Sequence, residues 1–262
     1  MDAGLIPAEL LQCAVVESRQ VGAYRLISFV APQIANLAHP GQFLMIRLAG
    51  SELDPLLPRP MGIHNVESDL VTMLIDPVGK GTARPAAAGI GDRVSVLGPL
   101  GIGFRLEGDA PAVLVGGGIG ISPLKLLARA LAAGGREVRC LLGFRTRKEA
   151  VATELFSGVR IDVITEDGSI GRLGLVSDPL PGCLAREPGK PAPEIFACGP
   201  SPMLAAIARI ARECGNPAQV SVESHMACGI GSCQGCVIRG AGGYLRVCSD
   251  GPVFDVEDIS WQ

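Results

Sequence analysis

Four cysteines near the C-terminus have a spacing that suits an iron–sulfur site. They follow the pattern C-x4-C-x2-C-x11-C and comprise Cys228, Cys233, Cys236 and Cys248. The first three match the loop of plant-type 2Fe–2S ferredoxins, in which four thiolates hold two irons. The glycines between them let the loop wrap around an inorganic core, and their amides can point at the sulfur atoms. We therefore predict a 2Fe–2S cluster here.

A structural zinc ion is the alternative for this cysteine loop. Zinc loops usually begin with two close cysteine pairs, whereas the fourth cysteine here has no neighbouring pair partner. On the zinc hypothesis the chain is a non-catalytic zinc-binding module, and the purified protein is colourless. Four other cysteines lack ligand spacing and are predicted to be ordinary residues, namely Cys13, Cys140, Cys183 and Cys214.

A glycine-rich turn, VLVGGGIGISPL, lies between a predicted buried strand and a predicted helix. Glycine lets the backbone turn sharply and lets a phosphate approach the amides, while the helix N-terminus faces the anion. We predict that NAD binds at this turn through Gly116, Gly117, Gly118 and Gly120. The spacing is not G-x-G-x-x-G, so it is not a standard Rossmann motif, and a purely structural turn is the alternative.

A second turn of this kind, ACGPSPML, follows a later predicted strand. Ligands of parallel α/β sheets lie beyond the carboxyl ends of the strands, where the strand order reverses. We therefore predict that Cys198, Gly199 and Pro200 lie beside the NAD. The alternative for Cys198 is a small buried residue, as free cysteine often is.

The nucleotide and cluster sites together imply a flavin between them. A nicotinamide delivers two electrons as a hydride, a 2Fe–2S cluster accepts one electron at a time, and a flavin can do both. In PRPMGIHN, Arg59 offers a fixed cation for phosphate and Pro60 stiffens the strand, although an Arg-Pro pair is commonly only a turn. In LIDPVGKGT, amide and hydroxyl groups for a pyrophosphate come from Gly79, Gly81 and Thr82.

The elements that must position these residues change in type along the chain. Residues 1–108 show short alternating segments between Gly, Pro and Asp, which predict an antiparallel β-barrel, and this barrel is the expected place for the flavin. The predicted strands are QCAVVESRQV, YRLISFVAP, GQFLMIRL, LVTMLIDPVG and DRVSVLGPLG. Residues 109–216 alternate strands with helices, which predicts a parallel α/β sheet for the NAD, with a surface loop at DPLPGCLAREPGKPAPE. Residues 217–262 lose regular periodicity and are predicted to form a small iron–sulfur domain, so the chain is multidomain.

Composition argues against several classes of protein. The net charge is −3, only 4% of residues are aromatic and no basic run occurs, so a nucleic-acid partner is not expected. The uncharged stretch APAVLVGGGIGISPL is too short to span a bilayer. The N-terminus carries Asp2 and Glu9 and lacks a basic start, unlike a signal peptide. We expect a cytoplasmic protein, in which nine cysteines indicate metal or redox chemistry rather than disulfides.

Arg59-Pro60, GKGT, LGPLG, GGGIGISPL, CGPSPML and ESHMACGIGSCQGC occur in this order. In this the chain resembles, over essentially its whole length, the ferredoxin reductase-like flavoproteins, and among them the electron-transfer subunits of dihydroorotate dehydrogenase B. The resemblance implies FAD contacts at Arg59, Pro60, Met61, Gly62, Leu74, Ile75, Asp76, Gly81 and Thr82. The family usually has Ser or Thr at the position of Gly62, so the surroundings of the flavin ring differ here. His64 lies close enough in sequence to compensate, but a surface or core histidine is the favoured interpretation.

The resemblance also implies a function, that of an NAD-dependent oxidoreductase subunit. FAD would exchange electrons with NAD and with the cluster, and the cluster with a partner catalytic subunit that contains FMN. That partner oxidises dihydroorotate to orotate in pyrimidine (UMP) biosynthesis, and two copies of each subunit are expected. The sequence shows no separate acid, base or nucleophile for an organic substrate. The related alternative is a diaphorase subunit of a hydrogenase or of a ferredoxin–NAD(P) oxidoreductase.

Two further groups of residues have open roles. Arg145, Arg147 and Lys148 follow the second strand of the α/β region, near where the 2′-phosphate of NADPH would lie. Such a basic cluster is more often a solvated face, and the resemblance favours NADH. Glu223 and His225 precede the cysteine loop and are candidates for shaping the flavin–cluster interface, with a helix cap or a solvated charge as the alternative for Glu223.

Overall fold

The computed structural model describes residues 9–48, 54–186 and 189–261. Most of the N-terminal segment used in the signal-peptide argument, including Asp2, lies outside these residues. The described residues form two seven-stranded sheets and a two-stranded hairpin. None of the helices in this part of the chain has the length and apolar character needed to cross a membrane.

The first sheet is antiparallel and confirms the predicted barrel. Its strands lie in the order β4-β3-β7-β1-β2-β6-β5. They are β1 Glu9–Val21, β2 Tyr24–Val30, β3 Phe43–Leu48, β4 Arg59–Gly62, β5 Asn65–Glu67, β6 Leu70–Ile75 and β7 Arg93–Leu100. Two short helices complete this region, α1 Pro32–Ala35 and α2 Lys80–Ala86. Burial alternates along the first four residues of β6, as strand prediction relies on, and Leu74 and Ile75 are both buried at its end.

The barrel closes through the two residues that join its edge strands. Strands β4 and β5 lie at opposite ends of the strand order but are separated in sequence only by Ile63 and His64. The amide of Ile63 donates to the carbonyl of Gln42, and the amide of His64 donates to the carbonyl of Thr72. These two hydrogen bonds therefore join the β3 side of the sheet to β6. This connection places Arg59 and Gly62 at the rim of the barrel.

The second sheet is parallel except at one edge and confirms the predicted α/β region. Its order is β11-β10-β9-β8-β12-β13-β16. The strands are β8 Ala112–Gly117, β9 Val138–Phe144, β10 Arg160–Thr165, β11 Arg172–Leu173, β12 Glu194–Cys198, β13 Ala218–Ser221 and β16 Val253–Asp255. The order reverses between β8 and β12, so a crevice is expected beyond the carboxyl ends of these two strands.

Helices cover both faces of the parallel sheet. They are α3 Ile121–Ala133, α4 Arg147–Ala150, α5 Leu180–Cys183 and α6 Ser201–Cys214. Helix α3 follows the glycine turn and buries an apolar face, because leucines and alanines recur at helical spacing. The predicted surface loop at 178–194 contains the short helix α5 and ends at Glu194, the first residue of β12, and the rest of its described residues lie outside helices and strands.

The C-terminal region is built onto both sheets. Strand β13 lies just after the predicted boundary at residue 216 and pairs with β12, while β16 pairs antiparallel with β13. The hairpin consists of β14 Val237–Gly240 and β15 Gly243–Arg246. Cys236 and Cys248 share one buried cluster with Val113 of the parallel sheet and Met45 of the barrel. The cysteine loop is therefore fixed against both larger units.

Candidate functional site

The four predicted ligands of the cluster form two pairs of thiols. Cys228 and Cys233 are within hydrogen-bond reach of each other, as are Cys236 and Cys248. Among the described residues no group of three or more His, Cys, Asp or Glu side chains is arranged to hold a single metal ion. A 2Fe–2S cluster takes two thiolates at each iron, so two neighbouring pairs fit this group.

Backbone amides of the loop point at these sulfur atoms. The amides of Cys233 and Ile230 donate to Sγ of Cys228 over 3.4 and 3.5 Å, and the amide of Gly231 donates to Sγ of Cys248 over 3.1 Å. Partial burial raises the pKa of the Cys228 thiol, but the amides of Cys233 and Ile230 outweigh it and lower that pKa to about 6. Because amide donors stabilise the thiolate, the loop prepares Cys228 for metal binding.

The other pair of cysteines, Cys236 and Cys248, is buried. Cys236 and Cys248 are each 2% exposed, whereas Cys233 is exposed. Burial, together with the neighbouring Cys236 thiol, raises the pKa of Cys248 to about 12. One side of the site therefore faces the protein interior and the other faces solvent. A group held between the pairs would have an inner and an outer side, as an electron carrier between two proteins requires.

The loop rests directly on the barrel. Gly229 has φ +73°, and a Cβ there would lie 2.5 Å from Cγ of Met45 and 3.1 Å from Cδ1 of Leu100. Glycine is thus required both for the left-handed backbone and for the close approach to β3 and β7. At the far end of the loop, the Arg246 guanidinium donates to the carboxylate of Asp250, which lowers the pKa of Asp250 against the effect of its burial.

A cavity of about 490 Å³ opens beyond the carboxyl ends of the parallel strands. Its wall on the parallel sheet includes the glycine turn, the ends of β9 and β10 and the start of α6, and its opposite wall comes from the barrel. The lining residues are Tyr24, Asp76, Gly117, Gly118, Ile119, Gly143, Phe144, Arg145, Glu149, Glu166, Gly174, Leu175, Val176, Ser177, Pro200, Pro202, Met203, Ala206 and Glu223. The cavity lies where the strand order predicts a ligand.

The four predicted glycines of the turn divide into two roles. Gly117 and Gly118 line the cavity. Gly118 has φ +54° and open space where a Cβ would lie. Gly116 and Gly120 instead serve packing, since a Cβ on Gly120 would lie 2.4 Å from the carbonyl oxygen of Cys198 and one on Gly116 would lie 2.9 Å from Ile121.

The second turn lies across the crevice from the first. Pro200 lines the cavity beside Met203 of α6. Cys198 is 3% exposed at the end of β12, and burial, followed by the charge of Glu223, raises its pKa. Gly199 packs between Met203 and the amide of Gly117, so it joins the two turns. The burial of Cys198 agrees with the alternative interpretation of this cysteine as a small packed residue. Its neighbours in the turn nevertheless keep it close to the cavity wall.

The predicted FAD residues gather at the rim of the barrel. Arg59 lies over the first turn of α2, where a Cβ on Gly81 would come within 1.9 Å of its Nε. Its Nη1 donates only to the carbonyls of Leu57 and Pro58 among the described residues. The hydroxyl of Thr82 bonds the backbone of Gly79 at the start of that helix. A cation and a glycine-lined helix start are therefore held together, as a flavin pyrophosphate would require.

The remaining predicted FAD residues lie on the adjoining strands. Pro60 and Met61 are in β4, whereas Leu74 and Ile75 end β6 and are buried. Asp76 lines the cavity, and its pKa is raised by desolvation and by the charge of Glu149.

Two positions near the rim bear on the missing hydroxyl at Gly62. A Cβ on Gly62 would meet the ring of Pro123 at ordinary contact distance, so its backbone faces the start of α3. His64 is 1% exposed, and its Nδ1 bonds the carbonyl oxygen of Ser122 over 2.9 Å. Desolvation lowers its pKa to about 3, so His64 is neutral at physiological pH. The structure thus supports the interpretation of His64 as a core histidine.

The cavity also contains functional candidates that the sequence did not single out. Tyr24 is 1% exposed, and desolvation, then Glu149 and Asp76, raise its pKa. Glu149 and Glu166 line the same space. Glu223, whose role was open, also lines it, and desolvation raises its pKa. His225 is exposed. These residues could not be grouped from the sequence, because they come from distant parts of the chain.

Comparisons with known proteins agree with this arrangement. Residues 223–260 match a family model described as the iron–sulfur cluster binding domain of dihydroorotate dehydrogenase B, which leaves the zinc hypothesis without support. A protein of Shouchella clausii is 39% identical, with 86% of this chain and 88% of that protein covered. One of Geobacillus kaustophilus is 40% identical at the same coverage. Both carry the name dihydroorotate dehydrogenase B (NAD(+)), electron transfer subunit.

Solved structures show the same fold. The structure of an NADH-dependent reduced ferredoxin–NADP oxidoreductase matches with a TM-score of 0.84 and 30% identity, and covers 95% of this chain and 90% of that one. A ferredoxin reductase of carbazole 1,9a-dioxygenase matches with a TM-score of 0.66 and 22% identity, over 81% of this chain and 68% of that one. The second likeness concerns the fold alone.

Proposed function

The chain belongs to the family of dihydroorotate dehydrogenase B electron transfer subunits, and we propose that it carries electrons between its catalytic partner and NAD in pyrimidine biosynthesis. The observation that carries the proposal is the double pair of thiols, set on the barrel wall close to a nucleotide-sized cavity. Bound FAD supplies the exchange between hydride and single-electron transfer, and a 2Fe–2S cluster supplies the single-electron step. Both groups and NAD(H) are therefore assigned as cofactors.

The residues of the chain contribute binding and orientation. Arg59, placed on the first turn of α2, holds the FAD phosphates, and Gly81 leaves the space that its guanidinium needs. The amides of Gly117 and Gly118, at the turn between β8 and α3, receive the pyrophosphate of NADH. The four cysteine thiolates hold the cluster, with loop amides stabilising their charge. No acid, base or nucleophile is assigned to an organic substrate, because that chemistry belongs to the partner.

We propose further that the partner contains FMN and that two copies of each subunit assemble. The solvent side of the cysteine site, with Cys233 exposed, is suited to face such a partner. We also place the protein in the cytoplasm, because a reducing compartment suits a chain whose nine cysteines point to metal or redox chemistry rather than disulfides. The second candidate is a ferredoxin–NAD(P) oxidoreductase subunit, which the 0.84 TM-score to such an enzyme favours. The identity of the partner that co-purifies separates the two.

Replacing Gly118 tests the nucleotide site. Asparagine tolerates the left-handed backbone at φ +54° better than other side chains, so Gly118→Asn fills the cavity with little strain. We expect the KM for NADH to rise about tenfold in a dye-reduction assay, since a side chain hinders the pyrophosphate, while FAD content stays constant. The matched control is Gly215→Asn, which has φ +70° and lies outside the cavity. Equal KM values for both variants would place the nucleotide elsewhere.

A further inference from the structure

One end of the cavity carries more negative than positive charge. Arg145 follows β9, Glu166 follows β10, and both line the cavity with Glu149. The amide of Glu166 donates to the carbonyl of Phe144 over 3.0 Å, and the amide of Asp167 donates to that of Arg145 over 3.2 Å. These bonds hold the two strand ends side by side. Arg145, Glu149 and Glu166 therefore form one group, which we call the acidic end.

The acidic end is the place for the adenosine half of a dinucleotide. The glycine turn lies at the end of β8, and Pro200, Met203 and Glu223 lie on the β12 side of the crevice. A dinucleotide whose pyrophosphate sits at such a turn places its adenosine ribose toward the neighbouring strand on the other side. In this sheet that strand is β9, followed by β10. A dinucleotide bound in this way would direct the 2′ position of its ribose toward the acidic end.

Arg145 is already neutralised there. Its Nη2 and Nε lie 3.0 and 3.2 Å from Oε1 of Glu149, and its own amide donates to Oε2 over 2.9 Å. The Glu149 side chain is 13% exposed, so this carboxylate is held in place rather than free in solvent. The three bonds fix the guanidinium against Glu149. The Arg145 side chain is 72% exposed, but its charge is already paired with Glu149 before a phosphate approaches.

The other bases of the predicted cluster do not replace it. The Nε and Nη2 of Arg147 both donate to the carbonyl oxygen of Ser169, over 3.1 and 2.7 Å. Neither Arg147 nor Lys148 is among the cavity-lining residues. The carboxylate of Glu166 has no hydrogen bond or ion pair with another residue in the described ranges and lines the cavity. With one cation and two carboxylates, the acidic end carries a net negative charge.

We propose that Glu149 and Glu166 are the residues that make this chain select NADH over NADPH. Glu166 accepts hydrogen bonds from the ribose hydroxyls and repels a 2′-phosphate, while Glu149 withholds the Arg145 charge that a 2′-phosphate needs. The proposal rests on the nucleotide site given under the proposed function. The two carboxylates explain how three basic residues can follow β9 without forming a binding site for NADPH.

The test uses the FAD-loaded protein and four variants. These are Glu166→Gln, Glu149→Gln, the double variant and, as control, Glu213→Gln, whose side chain pairs with Arg209 at the far end of α6. The ratio of kcat/KM for NADH to that for NADPH is measured by dye reduction. Binding of 5′-AMP and of adenosine 2′,5′-bisphosphate is measured by calorimetry, which does not depend on electron transfer. Glu166 is exposed, so its variant keeps the fold.

We expect the unmodified protein and Glu213→Gln to share one strong preference for NADH. The ratio should fall about tenfold in Glu166→Gln and further in the double variant, mainly because NADPH and the bisphosphate bind better. An unchanged ratio in the double variant, with NADH still used, overturns this inference and leaves the proposed function intact. A protein that binds neither NADH nor 5′-AMP overturns both. A preference for NADPH in the unmodified protein overturns the inference as well.

Discussion

We expect replacement of Cys233 with serine to abolish electron transfer to the partner subunit and to leave the reduction of FAD by NADH intact. Serine keeps the size of the side chain but replaces a soft thiolate with a weakly acidic hydroxyl, which is a poor ligand for an iron–sulfur cluster. Cys233 is exposed, so the change does not disturb a packed core. Two large buried clusters, one of the barrel and one shared by the barrel and the parallel sheet, contain none of the four loop cysteines, so both sheets should remain folded.

The measurement combines iron content with two activities in one preparation. Iron should fall from two per chain, dye reduction by NADH should continue, and turnover with the catalytic partner should be lost by a factor of at least about a hundred. Cys214→Ser is the control, because Cys214 is an exposed cysteine at the end of α6, away from the loop. Full partner turnover in Cys233→Ser would show that electrons do not leave through this loop.

Arg59→Ala should release FAD from the purified protein. Loss of a charge-assisted phosphate contact costs about 1.5–3 kcal/mol, which corresponds to a Kd raised roughly tenfold to a hundredfold. Among the described residues Arg59 donates only to two neighbouring carbonyls, so its removal leaves no buried ion without a partner. The effect should therefore fall on FAD and not on folding.

FAD content after extensive dialysis and the melting temperature measure these two effects separately. Arg93→Ala is the matched control, because Arg93 is an exposed arginine of the same barrel whose side chain donates to the carbonyl of Gln12. Equal FAD retention by Arg59→Ala and Arg93→Ala would move the phosphate site away from β4 and α2. A fall in melting temperature without FAD loss would give Arg59 a purely structural role.

The sequence predicted best what depends on neighbours along the chain. The cysteine spacing picked out the four cysteines as one set, and their arrangement as two pairs of thiols came from the structure. The glycine turn between strand and helix was equally local. The sequence could not show which glycines of the turn line the cavity and which serve packing. Gly120, for example, is needed for close contact with the backbone of Cys198, almost eighty residues later.

Elements whose residues go against propensity were missed. Strand β4 is the exception, since a strand was expected at Pro60, and it lies at the edge of the sheet, where a missing amide is tolerated. Helix α2 contains Gly81 and Pro85 and reads as a loop. Strand β13 is only four residues long, and its pairing with β12 and β16 decides its structure. In each case tertiary contacts outweigh the local signal.

The acids of the cavity could not be predicted as a set. Tyr24 and Asp76 come from the barrel, Glu149 from helix α4, Glu166 from just after the end of β10, and Glu223 from the segment after β13. Their proximity results from packing of the barrel against the parallel sheet. The three bases after β9 suggested a phosphate site, and only the contacts of Arg145 with Glu149 show that its charge is compensated.

Dihydroorotate-dependent reduction of NAD by the co-purified complex tests the central claim most directly. The chain is expressed together with its catalytic partner, the complex is isolated, and NADH and orotate are measured after addition of dihydroorotate and NAD. One NADH should form for each orotate, because the two electrons leaving dihydroorotate are those that reduce NAD. The catalytic subunit alone should form no NADH. A complex that contains FAD and iron and oxidises dihydroorotate with a dye, yet forms no NADH, would contradict the proposed function.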